Sequence, residues 1–361
     1  MKIGLIFGTR PEIIKMAPVI RECEKRKLDY FIVHTNQHYS YEMDKIFFDE
    51  LNLPHPKYNL NCGYDSFKKQ ISFMSKKTIE VLKKEKPDHF LVYADPTSCL
   101  AGALAAAKTN VKIHHIEAGL RSNDLKMLEE INRIITGQLA DYHFTSLEQA
   151  KRNLIEEGTD ESKIFVVGNT IVDSVYQNIE LAKKNSTILK KLDLEGKEYF
   201  LLTFHRAENV DDEERLSKII KSLELICNKY KLPIVYPMHP RTKKMLNQFN
   251  IKVPKEVTVI EPTSFLDFLQ LESNSRLVIT DSGGIQEEAC ILNVPCVTLR
   301  DNTERPETLE IGSNILSGVE PEKVLECVEV MYNNQRNWEQ PYGDGKSAEK
   351  ILDILEKNHS Q

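Results

Sequence analysis

Along this chain, short and almost unbroken apolar runs alternate with longer stretches in which apolar residues recur every three or four positions. The first kind suits strands buried on both faces and the second amphipathic helices. The alternation therefore predicts an α/β fold of parallel βαβ units with helices on both sides of each sheet. A first strand ends at Gly8, and Pro11 suits the first turn of a helix entered through Thr9 or Arg10. The run Tyr30 to His34 leads into Thr35-Asn36-Gln37-His38, then a helix near Tyr41 to Leu51, a polar loop from Asn59 to Asp65 and a lysine-rich helix. Phe90 to Tyr93 delivers Asp95 ahead of an alanine-rich helix, and Val111 to Ile116 delivers Glu117. Leu128, Ile131, Ile134, Ile135 and Leu139 recur at helical spacing as an apolar stripe, leaving Glu129 and Arg133 on another face. Ser146 with Gln149, and Asp211 with Glu214, have the spacing of capping boxes.

A second series repeats the design after the charged segment Lys183 to Lys197, which has little to bury and is where the crossing between halves is expected. Tyr199 to Thr203 delivers His205-Arg206-Ala207-Glu208-Asn209, and Pro233 to Pro237 delivers His239. Leu277-Val278-Ile279 leads into Thr280-Asp281-Ser282-Gly283-Gly284, and Val297 to Leu299 precedes Thr303-Glu304-Arg305-Pro306-Glu307. Doubly wound sheets bind ligands beyond the carboxyl ends of their strands, where all these polar groups are delivered. Two such halves suggest a cleft between domains.

Composition narrows the class. The 361 residues exceed the usual size of one core, and a prior of ~150 residues per domain gives two. Hydrophobic residues at 41% and charged ones at 28% suit a soluble globular protein rather than a disordered, collagen-like or disulfide-scaffold chain. A net charge of -6 argues against a general nucleic-acid partner. Seven cysteines at irregular spacing, without a CxxC pair, suit a reducing cytoplasm. The apolar N-terminus stops at Thr9, too soon for a signal peptide or membrane span, and nothing else approaches a membrane segment.

The richest stretch is Thr280 to Ala289, which reads as strand, tight turn and helix. Ser282 suits the cap, and Gly283 and Gly284 would let the first free N–H groups close on a phosphate. Glu288, one turn further, would reach sugar hydroxyls. The alternative is that the glycines only serve the turn. Asp95 is equally explained as a helix cap, and Glu129 as one half of an i,i+4 pair with Arg133 worth only ~0.2–0.5 kcal/mol. Glu117 is harder to set aside, because it ends an apolar strand and would be partly buried; with Lys15 and the other two acids it would suit proton transfer. His205 and Arg10 either donate to a phosphate or are packed, and Arg305 either binds substrate or locks Glu304 or Glu307. His114-His115 and the His34/His38 pair lack the context of a zinc site, so no metal is expected. No GxGxxG follows the first strand, where Gly8-Thr9-Arg10-Pro11 stands, so no nicotinamide cofactor is expected.

In order along the chain stand Gly8-Thr9-Arg10-Pro11-Glu12, Glu117-Ala118-Gly119-Leu120-Arg121, Glu129-Glu130-Ile131-Asn132-Arg133, His205-Arg206-Ala207-Glu208-Asn209, Asp281-Ser282-Gly283-Gly284 and Thr303-Glu304-Arg305-Pro306-Glu307. This ordered set resembles the non-hydrolysing UDP-N-acetylglucosamine 2-epimerases over essentially the whole chain, the archaeal members most of all. The resemblance implies a glycosyltransferase-B-like pair of Rossmann-type domains at 1–170 and 171–342, with the C-terminal helix 343–361 packed back on the first, and commonly a homodimer. It implies a cytoplasmic enzyme that interconverts UDP-GlcNAc and UDP-ManNAc by eliminating UDP to 2-acetamidoglucal and adding it back, without a cofactor; the alternatives are a 2-epimerase of a modified UDP-sugar such as a diacetamido-uronate, or a catalytically weakened nucleotide-sugar-binding regulator. It makes Asp95, Glu117 and Glu129 the acid/base carboxylates with Lys15 beside them, and puts Arg10, His205, Ser282, Gly283, Gly284 and Glu288 on UDP, with His205 also among the catalytic groups and Arg305 near sugar and phosphates. Gln37, Gln70, Arg206 and His239 match a second, activating UDP-GlcNAc site of bacterial relatives, from which Ser40 and Lys69 depart. Ala94 and Pro96 stand where Gly-Asp-Thr has Gly and Thr, Leu128 replaces a proline, and the loop Gly63 to Lys69 lacks the usual histidine.

Overall fold

The computed structural model describes residues 1–37, 41–63 and 66–359, with the backbone alone for 41–44. His38 and Ser40 lie outside the described residues, as do Tyr64 and Asp65 of the polar loop. The fold is α/β, built as two parallel sheets with interleaved helices. One compact unit comprises Met1–Tyr176 with Tyr342–Gln361, the other Gln177–Pro341.

The sheet of the first unit contains β1 (Lys2–Phe7), β2 (Asp29–His34), β3 (Tyr58–Asn59), β4 (His89–Tyr93), β5 (Lys112–Ile116), β6 (Tyr142–Thr145) and β7 (Ile164–Val166), ordered β3-β2-β1-β4-β5-β6-β7. Leu5 of β1 registers with Ile32 on one side and Leu91 on the other, all parallel. Strand order reverses at β1 and β4, which opens the crevice where such sheets bind ligands. These strands are apolar because both faces are covered; Ile6, Phe31, Val33, Phe90 and Val92 pack on one side with Ala103 and Ala106. The helix Arg10–Arg26 starts after the extended Thr9, carries Pro11 in its first turn, and buries Ile13, Met16, Ala17, Val19 and Ile20. Burial of large apolar side chains contributes about 1.5–3 kcal/mol each.

The sheet of the second unit contains β8 (Phe200–Thr203), β9 (Ile234–Pro237), β10 (Val257–Ile260), β11 (Leu277–Thr280), β12 (Cys296–Thr298) and β13 (Asn314–Leu316), ordered β10-β9-β8-β11-β12-β13. Its order reverses at β8 and β11, whose ends meet at Thr203 and Thr280. Leu202 and Ile279 face one core; Leu201 and Val278 face another with Leu271 and Ala289. The last helix, Ser347–His359, belongs to the first unit: Ile351, Leu352 and Leu355 are fully buried, Arg26 pairs with Asp353 and Glu356 at 2.7 Å, and Asp173 accepts the Ala348 N–H at 2.9 Å. Among the described residues no helix is long and apolar enough to cross a membrane.

Three local expectations are corrected. The helix Leu128–Leu139 buries Glu130, Asn132, Thr136 and Gly137, whereas Ile131 and Ile135 of its apolar stripe are exposed. The reason is polar: Glu130 accepts the Ser122 and Asn123 N–H groups at 3.0 Å and Asn132 donates to the Asp95 carbonyl at 2.8 Å. Ser146 and Gln149 form no capping box, since the helix Glu148–Glu156 follows Leu147 without a side-chain cap. In the second unit Asp212, not Asp211, caps Glu213–Tyr230 by accepting the Arg215 N–H, while Asp211 takes the Arg241 guanidinium.

Candidate active site

At the end of β1 the chain must pass close to Thr35, and a Cβ on Gly8 would stand 1.8 Å from the Thr35 hydroxyl. Glycine is required there. The Glu12 carboxylate accepts the N–H groups of Gly8 at 2.9 Å and Thr9 at 2.8 Å, and the Ser98 hydroxyl at 2.9 Å. Burial pushes the Glu12 carboxyl up to about 7, against the opposing pull of those donors. Arg10 begins the helix with its guanidinium 5.0 Å from the centre of the Phe47 ring. Lys15, one turn on, points to the next strand ends.

Glu117 follows β5 in left-handed backbone, φ +60, and is buried. Three donors converge on its Oε2: Lys15 at 2.9 Å, the Tyr93 hydroxyl at 2.6 Å and Asn169 at 3.1 Å. Asp95 lies beyond β4, and its Oδ2 receives Arg133 through Nε at 2.8 Å and a second guanidinium nitrogen at 2.5 Å. Surrounding protein raises the Asp95 carboxyl above its ordinary range; Arg133 opposes this, and the charges of Glu117 and Glu129 add to it. Asp95 is therefore not the helix cap, a position taken by Pro96, and Arg133 pairs with Asp95 and Glu130 (2.8 Å) rather than Glu129. Glu129 itself is exposed at the start of its helix. Lys15, Asp95 and Glu117 are thus brought together in the first unit, with Glu129 within electrostatic reach. Ala94 is held in left-handed backbone, φ +49, with its carbonyl facing His115 Nε2 at 2.7 Å and the Cys99 thiol at 3.2 Å. Gln37 accepts the Ser98 N–H at 3.1 Å, and Gln70 is buried on the helix Phe67–Glu85.

In the second unit Asp281, fully buried at the end of β11, grips the loop after β8. Its carboxylate accepts the N–H groups of His205 (3.1 Å) and Arg206 (2.9 Å) and the Asn209 amide (3.1 Å). His205 lies with its ring 5.2 Å from that of His239, which caps the helix Pro240–Gln248. Ser282 occupies the N-cap position of the helix Gly283–Ile291, but its side chain makes no capping bond. Neither Gly283 nor Gly284 has positive φ, and added Cβ atoms would meet nothing closer than Glu304 at 3.5 Å and Ser282 at 3.9 Å respectively. Neither the turn nor packing demands glycine here, which leaves the first N–H groups of the helix open to close approach. Glu304 stands beside them, bonded by Arg300 at 2.6 Å and paired with Arg206 at 3.2 Å; burial would raise its carboxyl, but these arginines hold it at about 2. Arg305 pairs with the buried Glu287 of the helix Gly283–Ile291 at 2.7 Å and also donates to the Glu304 carbonyl at 3.0 Å. Glu288 is buried on the same helix as Gly284.

Tyr93, Asn169, Asn132 and the grip of Asp281 escaped sequence reasoning, because their partners are remote or belong to another element. Glu12 escaped it although Thr9 and Glu12 stand at capping-box spacing, and the other available signal was a charged residue, Asp281, directly continuing an apolar strand. Among the described residues no three His, Cys, Asp or Glu side chains converge to hold a metal. His114 instead meets His89 at 2.8 Å.

The family model for UDP-N-acetylglucosamine 2-epimerase matches residues 21–356 of the chain. The sequence is 53% identical to the UDP-N-acetylglucosamine 2-epimerase of Methanocaldococcus jannaschii, covering 98% of this chain and 99% of that protein. It is likewise 53% identical to the enzyme of that name from Methanococcus maripaludis, over 98% of each chain. The crystal structure of the M. jannaschii protein in complex with UDP-GlcNAc and UDP superposes with a TM-score of 0.88, covering 99% of this chain and 100% of that one.

Proposed function

The chain belongs to the UDP-N-acetylglucosamine 2-epimerase family, and on that premise we propose that it interconverts UDP-N-acetylglucosamine and UDP-N-acetylmannosamine by elimination and re-addition of UDP. The C2–H of the sugar has no adjacent carbonyl, so simple deprotonation is out of reach at neutral pH. Elimination avoids this. A carboxylate takes the C2 proton, the C1–O bond breaks with its electron pair leaving on UDP, and a C1=C2 double bond forms. Return of a proton to the opposite face of C2, with UDP oxygen adding at C1, gives the epimer without net redox change.

The observation that carries this reading is the Glu117 carboxylate, buried and fixed by Lys15, Tyr93 and Asn169. Donors on the charged form fix an acid/base group in one geometry. We assign proton transfer to Asp95, Glu117 and Glu129, with Lys15 as electrostatic partner. The departing diphosphate is assigned to Gly283, Gly284 and Ser282 at a helix N-terminus, with Arg10, His205 and Arg305; the ribose is assigned to Glu288. Gln37, Gln70, Arg206 and His239 are assigned to an activating UDP-GlcNAc. Exposed apolar Leu104, Ile131 and Ile135 support a homodimer, and seven buried cysteines outside any disulfide support a cytoplasmic setting.

Proton NMR of the purified protein with UDP-GlcNAc in deuterated water tests the reading. The expected result is UDP-ManNAc with deuterium at C2. Saturable binding without exchange at C2 overturns it.

A further inference from the structure

Glu272 lies on the helix Phe265–Asn274 and is 0% exposed. Neither of its carboxyl oxygens has a protein hydrogen-bond donor facing it. What does face it is the carboxyl group of Glu288, across in the helix Gly283–Ile291. The Cys296 thiol of β12 is also within electrostatic reach and stays protonated, its pKa raised chiefly by burial. Two ionised carboxylates cannot share so dry a place without a donor between them, and one proton held in common removes the conflict.

We propose that Glu272 is a positioning residue: it keeps its proton and donates it to the Glu288 carboxylate, holding that carboxylate as acceptor for the ribose hydroxyls of UDP. The proposal rests on the assignment of Glu288 to the ribose. Of the two acids, Glu272 is the one wholly enclosed, while Glu288 is 8% exposed and lies one turn from Gly284. Burial, followed by the charge of Glu288, drives the Glu272 carboxyl well above its ordinary range, which is the direction required. A stability role would be better served by an apolar residue of the same volume, because replacing a buried polar pair in that way is often neutral or favourable. A carboxyl group in this pocket is therefore explained by what it does to Glu288.

The test compares UDP with 2′,3′-dideoxy-UDP, which lacks the ribose hydroxyls, by calorimetric titration of the full chain. Wild type is expected to prefer UDP, and Glu288→Ala to lose the preference. Glu272→Met is expected to reduce the preference about tenfold by weakening UDP alone, the scale of one hydrogen bond to a charged group. Glu272→Gln, whose amide donates to the same carboxylate, is expected to retain it. A Glu272→Met protein with the full wild-type preference overturns the proposal while leaving the Glu288 assignment intact. Absence of any preference in wild type, or its survival in Glu288→Ala, overturns the assignment and the proposal with it. Should Glu272→Met not fold, infrared difference spectra decide, recorded well above the Glu12 pKa of about 7. The carbonyl stretch of a protonated carboxylic acid, displaced by UDP but not by the dideoxy compound, is expected in wild type and absent from Glu272→Gln. Its persistence in that variant overturns the proposal.

Discussion

On Glu117, one carboxylate oxygen takes donors from Lys15, Tyr93 and Asn169. Each bond favours the charged form, so deleting one raises the pKa of the acid. Tyr93→Phe is expected to lower kcat about tenfold, leave KM for UDP-GlcNAc near its wild-type value, and move the acidic limb of the pH–rate profile to higher pH. An unchanged profile would show that Glu117 does not transfer the proton. Glu12 offers a test of the opposite kind. Its folded pKa, about 7, lies above the ordinary glutamate value of 4.5, so the folded state holds a proton that the unfolded chain has already released between those values. Its contribution is complete below pH 4.5 and lost as pH rises through 7. Over that window the wild type is expected to lose ~1.4 kcal/mol per pH unit relative to Glu12→Gln, about 3 kcal/mol in all, measurable by urea unfolding at several pH values. The Glu117 network was not legible in the sequence: Tyr93 and Asn169 stand 24 and 52 residues from Glu117, and no local spacing joins them, whereas Thr9 and Glu12 stand at capping-box spacing and only the distant Ser98 was hidden.

Among the elements, the helix Gly283–Ile291 separates stability from binding. Its two glycines have ordinary backbone angles and room for a methyl group. Gly284→Ala is expected to raise thermal stability by about 0.4–1 kcal/mol through the unfolded state and better helix propensity. The same methyl would stand where an anion must approach the N–H groups, so UDP affinity is expected to fall at least about tenfold, read by calorimetry. Loss of stability with unchanged UDP affinity would return the glycines to a purely structural role. Strands such as β1, β4, β8 and β11 were readable because both faces are covered, which leaves an unbroken apolar run. The edge strands β3, β10 and β13 were not; β10 exposes Thr258 and Val259 and carries no such run. The Leu128–Leu139 helix was misread for a related reason. Its inward side is fixed by hydrogen bonds to the loop before it and to Asp95, so hydrophobic periodicity pointed the wrong way.

For the whole molecule, all seven cysteines are buried thiols outside any disulfide. Burial raises the thiols of Cys23, Cys99, Cys227, Cys290, Cys296 and Cys327, which suppresses the reactive thiolate. The native protein is expected to give no rapidly reacting thiol with an aromatic disulfide reagent, and seven after denaturation. A fast native thiol would mean that one of these sites opens readily. The division of the chain has a different consequence. The first unit is completed only by Tyr342–Gln361, whereas the second is one continuous piece, Gln177–Pro341. During synthesis the inserted piece is made before the helix that buries Ile351, Leu352 and Leu355 and completes its host. The usual order, in which the part made first folds first, is thereby reversed. If the acids of the first unit handle the sugar's proton and the helix N-terminus of the second holds the diphosphate, as proposed, a nascent chain would be able to hold a nucleotide before it was able to turn one over.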